Sequence, residues 1–231
     1  RGEVGEISDT TLATSETLGQ VREKELRAAC RALGIKTVYI LGYRDSGMLG
    51  TTDNAHPNAL NQADQHKVAG EIVEVVRKTK PQVMLTFDSS GGYGHPDHIA
   101  IHNASLKAFN VAGDPTQYTR QLTAGLKPHV PDRLYYFVFP RSVAEKIHKA
   151  MKEQGMGSDF DDMALETLGV PDEQITTIVD VGSYAEKKIK AARCHRTQTL
   201  DEDPFAWIPE YVRNRVVSTE YLIRADSPNA L

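Results

Sequence analysis

Short strand-like apolar runs alternate with stretches of helical periodicity along most of this 231-residue chain, and that alternation restricts the fold more than any other feature. TVYIL (37–41), QVMLTF (82–87), LYYFVF (134–139) and ITTIVDV (175–181) are rich in β-branched or aromatic residues and read as strands, the first two of them buried. Between them, Leu18, Val21, Leu26, Ala29 and Leu33 recur at helical spacing ahead of Gly34, and Val68, Ile72, Val75 and Val76 line one face ahead of Pro81. Further helices are expected over 97–111, 141–153 and 183–195, with a short helix near 208–215 and a strand at 218–223. Residues 159–174 read as a surface excursion. The expectation is one domain spanning residues 1–231, of the α/β class: three layers, with a Rossmann-like, mostly parallel sheet and helices on both faces. Ligands of such sheets gather beyond the carboxyl ends of the strands. Two polar loops fall there, GYRDSGMLGTTDNAHPN (42–58) after Leu41 and SSGGYGHPDH (89–98) after Phe87.

Composition narrows the function by exclusion. With 27 basic and 31 acidic residues, a net charge of −4 and no basic block, the chain lacks the footprint of a nucleic-acid binder. No apolar run reaches the length of a membrane span, and no signal peptide opens the sequence. Cys30 and Cys194 make neither a disulfide framework nor a paired metal motif, which suits a reducing, cytoplasmic setting. The expected partner is a small molecule, with a homo-oligomer possible. Trp207, between Phe205 and Pro209, reads as a core or interface anchor.

The chemistry concentrates in GYGHPDHIAIH (92–102). Pro96 suits a first helical turn, and Asp97 stands where the helix dipole favours a carboxylate. His98 and His102 are four apart and share a helix face, while His95 precedes the helix and points to its N-terminal cleft. Neutral imidazole is both the commonest metal ligand and a proton donor or acceptor near neutral pH. His102 suits a packing role behind the others. Tyr93 reads either as a packed turn aromatic or as a site residue. Arg44 and Asp45 either pair with each other or grip sugar hydroxyls.

GYGHPDHIAIH, together with LGYRDSGM (41–48), GEVGE (2–6) and KKIKAARCHRTQ (187–198), resembles the LmbE-like, or PIG-L-like, zinc-dependent N-acetylglucosaminyl deacetylases, over roughly residues 1–200. Within that family the likeness is to the enzymes of mycothiol and bacillithiol synthesis and to mycothiol S-conjugate amidase. The resemblance implies hydrolysis of the N-acyl amide of a GlcNAc-type conjugate, with Zn2+ as cofactor. It implies His98 as a metal ligand and His95 as the group that stabilises the oxyanion and protonates the departing amine. Asp97 would hydrogen-bond within the site and tune a histidine, and Tyr93 would contact the reacting carbonyl. Glu6, Arg22 and Asp45 fall at sugar-contacting positions, and His195 lies in a C-terminal block that approaches the site. A non-catalytic carbohydrate-binding protein on the same fold is the alternative. The family's AHPDDE motif, which carries two further ligands and a general-base aspartate, is not found in residues 1–231; NAHPNAL (54–60) lacks both aspartates. The expectation is that the motif lies upstream of Arg1, and that residues 1–231 alone bind no stoichiometric zinc.

Overall fold

Helix α1, Leu18–Leu33, stops where the sequence says it should: Gly34 adopts a left-handed φ of 80° and its N–H returns to the Arg31 carbonyl. The computed structural model describes residues 1–153, 169–199, 205 and 208–226. Asp64 caps α2, Gln65–Thr79, by accepting the His66 N–H at 2.8 Å. Strand β1, Val83–Phe87, leads through a single turn, α3 (Gly91–Gly94), into α4, Pro96–Val111. There follow α5 (Thr119–Thr123), β2 (Arg133–Val138), α6 (Arg141–Glu153), β3 (Thr177–Asp180), α7 (Ala185–Ala192), α8 (Glu210–Ser218) and β4 (Thr219–Arg224).

The strands form one open sheet in the order β1-β2-β4-β3. β1 and β2 are parallel, with Leu85 opposite Tyr135, and β4 runs antiparallel to both β2 and β3. Three strands therefore share a direction and β4 opposes them. Alternation along the strands decides the layers. Leu134, Tyr136, Val138, Tyr221 and Ile223 are buried on one face, against Leu106 and Phe109 of α4. Val73 and Val76 of α2 then pack on Ala108 and Ala112. On the other face, Lys188 of α7 reaches Glu220 of β4 at 2.6 Å, and α1 is tied to the chain after α7 by the buried Glu25, which accepts the Thr197 N–H and O–H. This is the expected three-layer α/β arrangement.

TVYIL, expected to be a buried strand, is not one. No described residue pairs with 37–41, and Tyr39 is 47% exposed. A β-branched, aromatic run marks a segment fit for a pleated surface, but a ladder needs a partner. The expected burial of 82–87 is also incomplete: β1 is an edge strand, and its Leu85 is 62% exposed. Helix 183–195 is shorter than its pattern, with a 3-10 turn over Gly182–Tyr184 before α7, and α5 carries no periodic signal. Of the excursion at 159–174, only Gly169–Gln174 lies among the described residues; Trp207 lies outside them. No described helix is long and apolar enough to cross a membrane.

Candidate active site

The glycines behind the histidines are demanded by geometry. Gly91 has φ 67°, and a Cβ there would stand 2.8 Å from the His98 Cβ and 2.9 Å from the Ile99 nitrogen. Asp88, just past β1, holds the turn by accepting the Gly92 N–H at 2.9 Å. The turn delivers the Gly91 carbonyl to His98 Nδ1 at 3.0 Å. That bond places the ring proton on Nδ1 and leaves Nε2 with its lone pair. The His98 ring stacks on Phe87 at 3.9 Å, with Tyr93 set edge-on at 5.1 Å. Burial, and secondarily the neighbouring His95, lower the His98 pKa, so the ring is neutral near pH 7.

His95 is the N-cap of α4: its Nδ1 accepts the Asp97 N–H at 3.1 Å. The other ring nitrogen, Nε2, lies 3.8 Å from an oxygen of the buried Asp45. The Asp97 carboxylate does not meet a histidine ring, as the tuning role would require. It is taken up by Ser46, whose backbone N–H donates at 3.1 Å and whose hydroxyl donates to the second oxygen. What Asp97 offers His95 is its backbone N–H. Tyr93, 45% exposed, lies edge-on to both rings; burial and then the charge of Asp45 raise its hydroxyl pKa.

Asp45, His95 and Asp97 each present a ligand atom, all within 4.8 Å of one another. His98 is not one of the three, but its ring centre is 4.9 Å from that of His95. Nitrogen and carboxylate donors suit a divalent ion of borderline softness. The backbone carbonyl on His98 Nδ1 is the usual outer bond of a metal-bound imidazole. The donor set thus fits a divalent metal.

The expected sugar contacts are more scattered. Arg44 pairs with Asp53 at 2.6 Å and touches only the backbone carbonyl of Asp45, not its carboxylate. Arg22 donates to the carbonyls of Gly2 and Glu6, pinning the N-terminal segment. The Glu6 side chain is exposed, whereas the Glu3 carboxylate accepts the Asp45 N–H at 3.0 Å. Burial would raise the Glu3 pKa, but the Asp45 N–H on its carboxylate works against it and the pKa is lowered on balance. His195 lines a cavity of about 450 Å³ with Arg22, Tyr39, Gln198 and Ile101, the last on the same helix as His98. His102 is buried, with Nδ1 on the Phe87 carbonyl at 2.9 Å and its ring against Tyr136. Ser46 went unnoticed in the sequence, because nothing local marks a serine whose partner is fifty-one positions away.

Residues 1–109 match the model of the family described as PIG-L, GlcNAc-PI de-N-acetylase. Relatives described as 1D-myo-inositol 2-acetamido-2-deoxy-alpha-D-glucopyranoside deacetylase align over nearly the whole chain. The Thermobispora bispora protein is 35% identical over 98% of this chain and 77% of its own length. The Thermobifida fusca protein is 38% identical over 98% of this chain and 80% of its own length. Among solved structures, N,N'-diacetylchitobiose deacetylase from Pyrococcus horikoshii superposes with a TM-score of 0.64 at 20% identity, over 99% of this chain and 70% of that one. A 4-carboxy-2-hydroxymuconate hydratase from Pseudomonas putida superposes at 0.57 with 18% identity, over 98% and 81%. The fold is common to both, and one of them is not described as a deacetylase, so the chemistry has to be argued from the site.

Proposed function

The chain belongs to the PIG-L, or LmbE-like, family of de-N-acetylases, and from that premise we propose that it hydrolyses the N-acetyl amide of a GlcNAc conjugate, with inositol as the linked group, using a bound zinc ion. Its place as a single domain over residues 1–231 is part of the same reading. The observation that carries the proposal is the pairing of two differently prepared imidazoles: His98, neutral with Nε2 free, beside His95, whose Nδ1 is already occupied.

His98 would hold the ion through Nε2, with the Asp45 and Asp97 carboxylates the other donors nearby. When bound, such an ion supplies Lewis-acid polarisation of the amide carbonyl. The remaining work falls to side chains of this chain. His95 carries its proton on Nε2, because Nδ1 accepts the Asp97 N–H. Through that N–H it hydrogen-bonds the carbonyl oxygen as water adds to the carbonyl carbon, and it then gives the proton to the amine nitrogen as the C–N bond breaks; the water's proton would pass to the general-base carboxylate that the family resemblance places in the AHPDDE motif. Asp45, at 3.8 Å, orients the ring. The Tyr93 hydroxyl stays protonated, its pKa raised, and donates to the same oxygen. Arg22 and His195 share one cavity wall, and we assign the sugar conjugate to it. Arg44 and Glu6 complete the substrate-contacting set, Arg44 through the loop it braces with Asp53. A small amino-sugar conjugate is the sole partner this reading needs, with neither nucleic acid nor membrane, in the cytoplasm.

The test is acetate release from the GlcNAc–inositol conjugate by zinc-loaded protein, with chelator-treated protein as control. Turnover that vanishes with the metal and returns with zinc supports the proposal. Tight sugar binding with no acetate released would favour a carbohydrate-binding protein instead.

A further inference from the structure

Ser46 is completely buried, yet every polar group it owns is partnered. Its N–H and O–H both go to Asp97, its Oγ accepts the Asn61 N–H at 3.0 Å, and its carbonyl accepts from the Asn54 amide. Asn54 and Asn61 belong to the loop between residue 42 and α2, whereas Asp97 lies in the first turn of α4. Ser46 is therefore the point at which that loop is fastened to the helix carrying the histidines. Its neighbour Asp45 accepts the Gly47 N–H on its carboxylate at 2.9 Å, accepts from Arg44 on its carbonyl, and donates its own N–H to Glu3 of the N-terminal segment. Among the described residues, what links the Asp45 side chain to α4 is its 3.8 Å approach to His95, the N-cap of that helix.

We propose that Ser46 is a positioning residue for the reaction: its two hydrogen bonds to the Asp97 carboxylate fix the Asp45 carboxylate against His95 Nε2. The inference rests on the deacetylase reading for its kinetic consequences, though not for its geometry. It also gives Asp97 a task, since a carboxylate at that position is used to receive the loop rather than to touch an imidazole. Small displacements matter at such a site, because a shift of about 1 Å can cost about 100-fold in rate.

The experiment is a double-mutant cycle with two readouts, on Ser46→Ala, Asp45→Asn and the pair, each checked for folding by its melting transition. In the first readout, Ser46→Ala should lower kcat about 10- to 100-fold with little change in KM. The pair should be no slower than Asp45→Asn alone, because both changes remove one interaction. Full additivity, or an effect confined to KM, would overturn the proposal. The second readout needs no turnover: the ring 15N resonances of His95 should move in Ser46→Ala toward their position in Asp45→Asn, while those of His102 stay fixed. Unmoved His95 resonances in a folded Ser46→Ala protein, where Asp45→Asn does move them, would also overturn it. If the ring signals behave as expected but wild-type protein releases no acetate, the positioning stands and the deacetylase reading falls.

Discussion

His98 shows how much a single residue's surroundings decide. Its Nδ1 is held by a backbone carbonyl, its ring stacks on Phe87 with Tyr93 edge-on, and burial depresses its pKa. A depressed pKa in the folded state means that the unfolded chain binds more protons once the pH falls below about 6.5. In metal-free protein, this group's contribution to stability is thus undiminished above the unfolded pKa, falls as pH drops through it, and levels off below the folded value. The urea midpoint should therefore decline as the pH falls through about 6.5, and decline less in His98→Gln. An identical pH dependence in the two proteins would show that His98 is not the titrating group. In metal-loaded protein, His98→Ala should remove most bound zinc and most activity, read by metal analysis and acetate release; zinc content near wild type would remove His98 from the ligands. Gly91 is the companion case. Gly91→Ala forces a side chain into a φ of 67° and into the His98 Cβ, and should cost more than about 1 kcal/mol in urea unfolding.

At the scale of elements, the local block was legible and the long-range approach was not. GYGHPDH carries its own turn glycines, its first-turn proline and its N-cap within seven positions, so pattern alone puts His95 and His98 at the mouth of α4. The contacts that finish the site are between elements: Asp45 with His95, Ser46 with Asp97, Glu3 with Asp45. No periodicity encodes them, because they depend on how the long polar loop over 42–58 lies against a helix. The same limit explains TVYIL, whose residues suit a strand while its pairing is decided elsewhere. Arg77 is a further element-scale device that the sequence hides. Its buried guanidinium donates to the carbonyls of Ala112, Asp114, Gln117 and Tyr118 and to the Gln121 side chain, gathering the segment after α4 onto α2. Arg77→Met would leave those acceptors without a donor and should cost roughly 3 kcal/mol, measured by urea unfolding. A loss under about 1 kcal/mol would mean that the segment re-solvates freely.

At the scale of the whole molecule, the alternation of strands and helices was sufficient for the α/β class and for putting the ligand edge at the ends of the strands. It was not sufficient for the strand order or for the reversal of β4, since a short apolar strand reads the same in either direction. The family likeness over nearly the entire chain supplies what patterns cannot, namely a reaction class to set against the geometry. The central claim is that this fold brings His95 and His98 together for separate tasks in amide hydrolysis, one at the carbonyl oxygen and one at the metal. The most direct test is His95→Ala, measured for zinc content and for acetate release from the GlcNAc–inositol conjugate side by side. Metal retained near the wild-type level, with kcat reduced about 100- to 1,000-fold and KM little altered, is the expected result. Zinc lost along with activity, or a change in KM alone, would contradict it.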